Sequence, residues 1–320
     1  DEAVEAFKKA ISIKPDYVEA YNNLGNALQE QGKLDEAIEA YNKVLLLKPD
    51  YVEAYNNLGN ALENQGKVEE AIETFNKAIS IKPNFTDAYR SIGNALRGVI
   101  FKKPNKNFQN IMISILEQKS GVRPRDIVNA AISLLKLEPN LQKYLQQADI
   151  KVMESPLDII SGLSEFPLLL KLMSVCPLPD LELEVLLTNQ RRSILSIISD
   201  LKDASSELIE FQSALALQCF TNEYIYNHTK KEVKILQSLE ASVRKNLESN
   251  KQPSPHVVLA LASYKALNQY EWCNFLISND DIREVFIRQI EEPTEEEKLK
   301  QGLPILEEIT DKVSSKVRNI

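Results

Sequence analysis

Glycine is scarce, at 9 of 320 residues, where about 7% is usual. No GxG occurs anywhere, so the glycine-rich turn of a phosphate or dinucleotide site is missing. Histidine is scarcer still (His228, His256), and the three cysteines (Cys176, Cys219, Cys273) are widely scattered. No CxxC or HExxH spacing exists, which excludes the usual zinc patterns. An odd cysteine count without a disulfide framework fits a reducing compartment. Positive charge is short as well: 38 Lys and Arg against 46 Asp and Glu leave a net charge of −8. Non-specific nucleic-acid binding needs a net-basic face, so no nucleic-acid partner is expected. No apolar run approaches ~18 residues. The best, Phe166 to Val175, is interrupted by Lys171 and flanked by prolines. No signal-peptide pattern opens the sequence, and the expectation is a soluble, cytoplasmic protein without a membrane partner.

What is present is a repeat. Val18–Tyr51 aligns without gaps on Val52–Phe85, a period of 34, with 22 of 34 positions identical. The first unit reads Tyr21-x2-Leu24-Gly25-x2-Leu28, then Ala37-x3-Tyr41, then Pro49. The second reads Tyr55-x2-Leu58-Gly59-x2-Leu62, then Ala71-x3-Phe75, then Pro83. Tyr21, Leu24, Gly25 and Leu28 fall on one stripe of a helix, and Ala37, Ile38, Tyr41, Val44 and Leu45 make the stripe of a second. Gly32 sits where the first helix should end, and Pro49 stops the second. One such pair cannot bury its apolar face alone, so neighbours must stack on it.

This skeleton resembles the tetratricopeptide repeat. The resemblance implies an all-α fold: a tetratricopeptide α-solenoid followed by an irregular all-helical domain. Ala3-x3-Phe7 and Pro15 match the second helix of a unit whose first helix is missing. Tyr89-x2-Ile92-Gly93-x2-Leu96 is a first helix whose partner never arrives, because Phe101 to Phe108 breaks the pattern. Residues 1–104 are therefore expected to form an array of a half repeat, two full repeats and the first helix of a degenerate one. The chain is expected to be a fragment of something longer.

From about residue 105 the period vanishes while helix signals continue. Apolar spacing of helical period runs through 108–118, 125–136, 181–202, 205–220, 230–247 and 255–267. Ser155-Pro156 and Ser254-Pro255 read as helix starts, and Thr229-x-x-Glu232 and Thr294-x-x-Glu297 as capping boxes. Residues 105–290 are expected to be a helical domain packed on the last repeat. Residues 291–320 are expected to be a charged linker with a short helix near 306–317, leading to a missing C-terminal domain. Stretches such as Leu217 to Tyr226, Leu261 to Cys273, Phe286 to Ile290 and Leu306 to Val317 are similar to a bacterial family of tetratricopeptide-containing methyltransferases. That resemblance implies a catalytic domain binding S-adenosylmethionine beyond the chain end. No cofactor is expected in this chain.

No catalytic constellation stands out. The abundant carboxylates read as solvated helix faces. Cys219 lies in an apolar helix run and reads as a small hydrophobe. His228 and His256 read as cap-region surface residues, Trp272 with Tyr264 and Tyr270 as core, and Lys102, Lys103 and Lys106 as a solvated loop. One stripe exceeds such readings. Opposite the apolar face, the first helices carry Glu19, Asn22, Asn23, Asn26, Gln29, then Glu53, Asn56, Asn57, Asn60, Glu63, then Asp87, Arg90, Ser91, Asn94, Arg97. Asparagine is a mediocre helix former, and its amide suits the backbone of an extended peptide. The pattern is similar to the asparagine ladder of O-GlcNAc transferase repeats, where first helices line a concave face. Asn22, Asn23, Asn26, Asn56, Asn57, Asn60, Arg90 and Asn94 are the expected contacts for a protein or extended peptide in the groove. The alternative is that these amides bond locally within the solenoid. At the level of the whole protein, the alternatives to a methyltransferase are an O-GlcNAc-type glycosyltransferase and a stand-alone scaffold.

Overall fold

The computed structural model describes residues 2–117, 121–149, 155–201 and 203–302, and every regular element among them is helical. The repeats form as their periodicity requires. Helix α1 (Glu2–Ile13) precedes two antiparallel pairs, α2 (Val18–Glu30) with α3 (Leu34–Leu47) and α4 (Val52–Asn64) with α5 (Val68–Ile81), and then α6 (Thr86–Leu96). Each helix also packs on the next, so the stack buries the faces that one pair leaves open. Gly32 and Gly66 adopt φ of 74° and 79° just past α2 and α4, a conformation that costs glycine nothing and reverses the chain. Lys48, ahead of Pro49, is extended at φ −139° and ends α3.

The small residues of the motif face rings. A Cβ added at Gly25 would stand 2.5 Å from Tyr41 Cε1, and one at Gly59 would stand 2.6 Å from Phe75 Cδ1. Tyr41 and Phe75 are fully buried, so each glycine is the slot that lets the two helices of a repeat close. At Gly93 the same slot is filled from further along the chain, where Val122 Cγ1 would meet the Cβ at 2.8 Å. The missing partner of α6 is thus replaced by the approach to α8 (Pro124–Leu135), which packs on α6. Helix α7 (Lys106–Glu117) lies between them in sequence. Phe101 and Phe108 rings pack 5.4 Å apart across residues 104 and 105, and Phe101 N donates to Ser133 Oγ at 3.0 Å.

The second half contains α9 (Pro139–Asp149), α10 (Pro156–Ser164), α11 (Pro167–Val175), α12 (Leu181–Ile197), α13 (Ser206–Thr221), α14 (Lys230–Glu248) and α15 (Pro255–Ala262). Helices α9, α10 and α11 fall outside the periodic stretches read from the sequence. Helix α11 explains itself: Leu168, Leu169, Leu170, Leu172 and Met173 are all buried, so a central helix is apolar nearly all round and shows no amphipathic period. It packs on α7, α8 and α13. No helix among the described residues is long and apolar enough to cross a membrane. Helix α15 stops at Ala262 rather than 267, and three short 3-10 turns follow, through Ile282. The Thr229–Glu232 capping box forms as read, with Glu232 N donating to Thr229 Oγ1 at 3.2 Å and Thr229 N to Glu232 Oε2 at 2.7 Å. The Thr294 box does not. Thr294 lies inside a continuous run of α16 (Arg283–Phe286), a π turn (Ile287–Glu291) and α17 (Glu292–Gly302), and its hydroxyl donates back to Ile290 O at 2.6 Å. The helix expected near 306–317 lies outside the described residues.

The π turn carries Gln289, which is fully buried. Its Oε1 accepts from Leu267 N at 3.1 Å, and its Nε2 donates to Ala216 O at 3.2 Å and Ala262 O at 3.3 Å. One side chain therefore ties the last helical run to α13 and to the end of α15. Gln289→Leu strands Leu267 N in the core, and the expected cost is about 1–3 kcal/mol. A thermal melt indistinguishable from wild type would show that these bonds are not made.

Candidate functional site: an asparagine ladder between repeats

The first helices of successive repeats touch, α2 with α4 and α4 with α6, which brings the polar stripes side by side. Asn22 and Asn26, one turn apart on α2, accept from a single amide: Asn57 Nδ2 on α4 lies 3.2 Å from each Oδ1. One repeat on, Ser91 occupies the place of Asn57, and its Oγ stands 3.4 Å from Asn56 Oδ1 and 3.3 Å from Asn60 Oδ1. The same geometry therefore recurs at a period of 34, with a shorter side chain reaching less closely. Tyr41 OH, 2.8 Å from Asn26 Oδ1 and 3.1 Å from Gln29 Oε1, ties the ladder to the ring that fills the Gly25 slot. Phe75, in register with Tyr41, carries no hydroxyl and makes no such tie.

The expected contact residues thus divide into two groups. Asn22, Asn26, Asn56, Asn57 and Asn60 are buried or half-buried and hold one repeat to the next. Asn23, Arg90 and Asn94 are exposed. Asn23 and Asn94 have no side-chain partner among the described residues, and Arg90 pairs with Asp87 on its own helix. Ser91 and the Tyr41 hydroxyl are the members whose bonding role the stripe did not reveal. The 34-residue offset from Asn57 is the signal that marks Ser91.

The chemistry of the face follows from these bonds. A side-chain amide offers an acceptor oxygen and two N–H donors. In Asn22 and Asn26, and in Asn56 and Asn60 by turns since Ser91 has one hydroxyl proton, the oxygen is taken by the solenoid itself, while their Nδ2 groups and the Oδ1 of Asn57 have no side-chain partner among the described residues. The Nδ2 donors match main-chain carbonyls of an extended chain. Burial pushes the Glu63 carboxyl above its usual range on the same stripe of α4.

Trp272 is buried and stacks on Tyr270 at 4.7 Å. Burial raises the Cys176 thiol to about 11 and the Cys219 thiol to about 12, which keeps both as inert neutral thiols. His256 is buried rather than on the surface. It opens α15, where its carbonyl accepts from Gln212 Nε2 at 3.1 Å. His228 is exposed, with its ring 5.2 Å from that of Tyr264.

Residues 22–84 match the tetratricopeptide repeat family, and residues 1–32 match a second description of it, TPR repeat. No curated protein matches the chain. Among solved structures, YrrB, described as a TPR protein with an unusual peptide-binding site, is 17% identical. It is covered over 73% of this chain and 90% of its own, at a TM-score of 0.30. The TPR domain of P58(IPK) is 19% identical over 87% of this chain and 80% of its own, at a TM-score of 0.29. The matched sequence and the helix pairs closed by glycine slots mark the repeats. Residues 1–84 of this chain are tetratricopeptide repeats.

Proposed function

We propose that the first-helix face of the repeats binds an extended segment of a partner protein. The observation that carries this reading is the ladder itself. Amide oxygens of Asn22, Asn26, Asn56 and Asn60 are engaged between repeats, the Nδ2 groups of those residues and the Oδ1 of Asn57 remain for a ligand, and Asn23 and Asn94 stand unpartnered beside them. The division of labour that goes with it is a repeat array over 1–104, a helical region over 105–290 that supports its last helix, and a charged connector from 291. The test is a pull-down with the 320-residue chain, followed by affinity measurements on the captured partner with variants of this face. A partner whose affinity ignores all of them overturns the reading.

Within that reading, the chain is the recruiting part of an S-adenosylmethionine-dependent methyltransferase, and its partner is the methyl acceptor. The stretches Leu217 to Tyr226 and Leu261 to Cys273 support this through their resemblance to that family. The chain itself has no glycine-rich turn able to approach the cofactor. Calorimetric titration of S-adenosylmethionine into residues 1–320 is therefore expected to show no binding. Micromolar affinity would overturn this placement of the active site.

A further inference from the structure

The helical region holds a buried cation with no anion of its own. Arg191, on α12, is 1% exposed, and its Nε, Nη1 and Nη2 have no oxygen or nitrogen acceptor among the described residues. Two rings lie against it, Tyr264 at 4.2 Å and Tyr226 at 4.8 Å from the guanidinium carbon. Aromatic faces attract a cation, but they leave the in-plane N–H fork unanswered. The buried carboxylate of the cluster, Glu232, is already engaged. Its Oε1 accepts from Tyr264 OH at 2.9 Å and faces Arg192 Nε at 3.6 Å, and its Oε2 accepts from Thr229 N. Cys219 offers Arg191 a weak sulfur acceptor, yet burial keeps its thiol neutral, so it supplies no counter-charge. A guanidinium taken out of water without a paired charge is strongly unfavourable, so the arrangement calls for an anion.

The cover over this cation is local. Tyr226 comes from the loop joining α13 to α14, in which Glu223 and Tyr224 hold φ of 53° and 55°. Side chains other than glycine rarely adopt this region, and it persists only where surroundings enforce it. Here Tyr224 OH donates to Ala262 O at 3.0 Å, and Asn222 Nδ2 donates to Tyr226 OH at 3.0 Å. Tyr226 covers a face of the guanidinium, while the space lined by Gln212, Ser263 and Tyr264, which the loop does not line, has no room for a water molecule. Gln212 Oε1, at the same place, also lacks a partner.

We propose that Arg191 anchors a covered binding site for a small oxyanion, a carboxylate or a phosphate, which enters when the 222–229 loop withdraws Tyr226. The planar fork matches either group through paired N–H bonds. The probes are sodium acetate, sodium phosphate and sodium chloride, titrated into the 320-residue chain at constant ionic strength. One saturable oxyanion site is expected by calorimetry. The melting temperature is expected to rise on the order of 2–4 °C once the anion is well above its Kd, with little response to chloride. Whether acetate or phosphate binds more tightly identifies the source. Arg191→Lys keeps the charge and loses the fork, and is expected to weaken oxyanion binding about tenfold or more. Tyr226→Ala removes the cover and is expected to speed association, which keeps the test alive if the lysine variant does not fold. No saturable binding to the wild type, an equal response to chloride, unchanged affinity in folded Arg191→Lys, or an unchanged on-rate in folded Tyr226→Ala would each overturn the proposal.

Discussion

Gly59→Leu is expected to destabilise the chain by about 1–3 kcal/mol through overpacking, because the added side chain must enter the space held by the buried Phe75 ring. Phe75→Ala, which empties that space, is expected to cost about 3–5 kcal/mol. The two should not add. In the double variant the leucyl side chain enters the vacated volume, so the combined loss is expected to fall below the sum of the single losses, as for any pair in direct contact. Because each repeat is held by its neighbours, the loss should spread to the adjoining repeats rather than unfold one alone. Urea melts followed by circular dichroism measure all three. Strict additivity, or a melting curve for Gly59→Leu that matches wild type, would mean that the glycine does not face the ring.

Asn23, Asn57 and Asn60 replaced together by alanine are expected to weaken partner binding by about 1.5–4.5 kcal/mol. That corresponds to about ten- to two-thousand-fold, at about 0.5–1.5 kcal/mol for each amide contact. From composition alone such a variant should be as stable as wild type, since alanine is the better helix former. The ladder changes that expectation. Asn57 bridges Asn22 and Asn26, and Asn60 accepts from Ser91. Their loss is expected to lower the melting temperature as well, the gain in helix propensity offsetting only part of it. Asn23→Ala with Asn94→Ala is the cleaner pair, because neither side chain has a partner within the described structure. Here about five- to 150-fold in affinity should go with an unchanged melting temperature. Binding that survives in both sets of variants would remove this face as the recognition surface.

The sequence by itself determined the repeats. Their period, the glycine slots, the helix stops at Pro49 and Pro83 and the polar stripe all arise from residues a few positions apart, where helical geometry converts spacing directly into a face. It also determined that the remainder is helical, through caps such as Thr229 with Glu232. Long-range packing decided the rest. That Val122 takes the place of a ring against Gly93, that α11 is a core helix, and that Thr294 lies mid-helix depend on which elements meet, and no local period records that. The site divides in the same way. The stripe named the residues, but only the juxtaposition of α2 with α4 and α4 with α6 showed that most of their amide oxygens are used between repeats. Arg191 was invisible for a related reason. A charged residue in an amphipathic helix reads as solvated until three helices and a loop close over it. Burial is a property of what packs around a residue rather than of its neighbours in sequence.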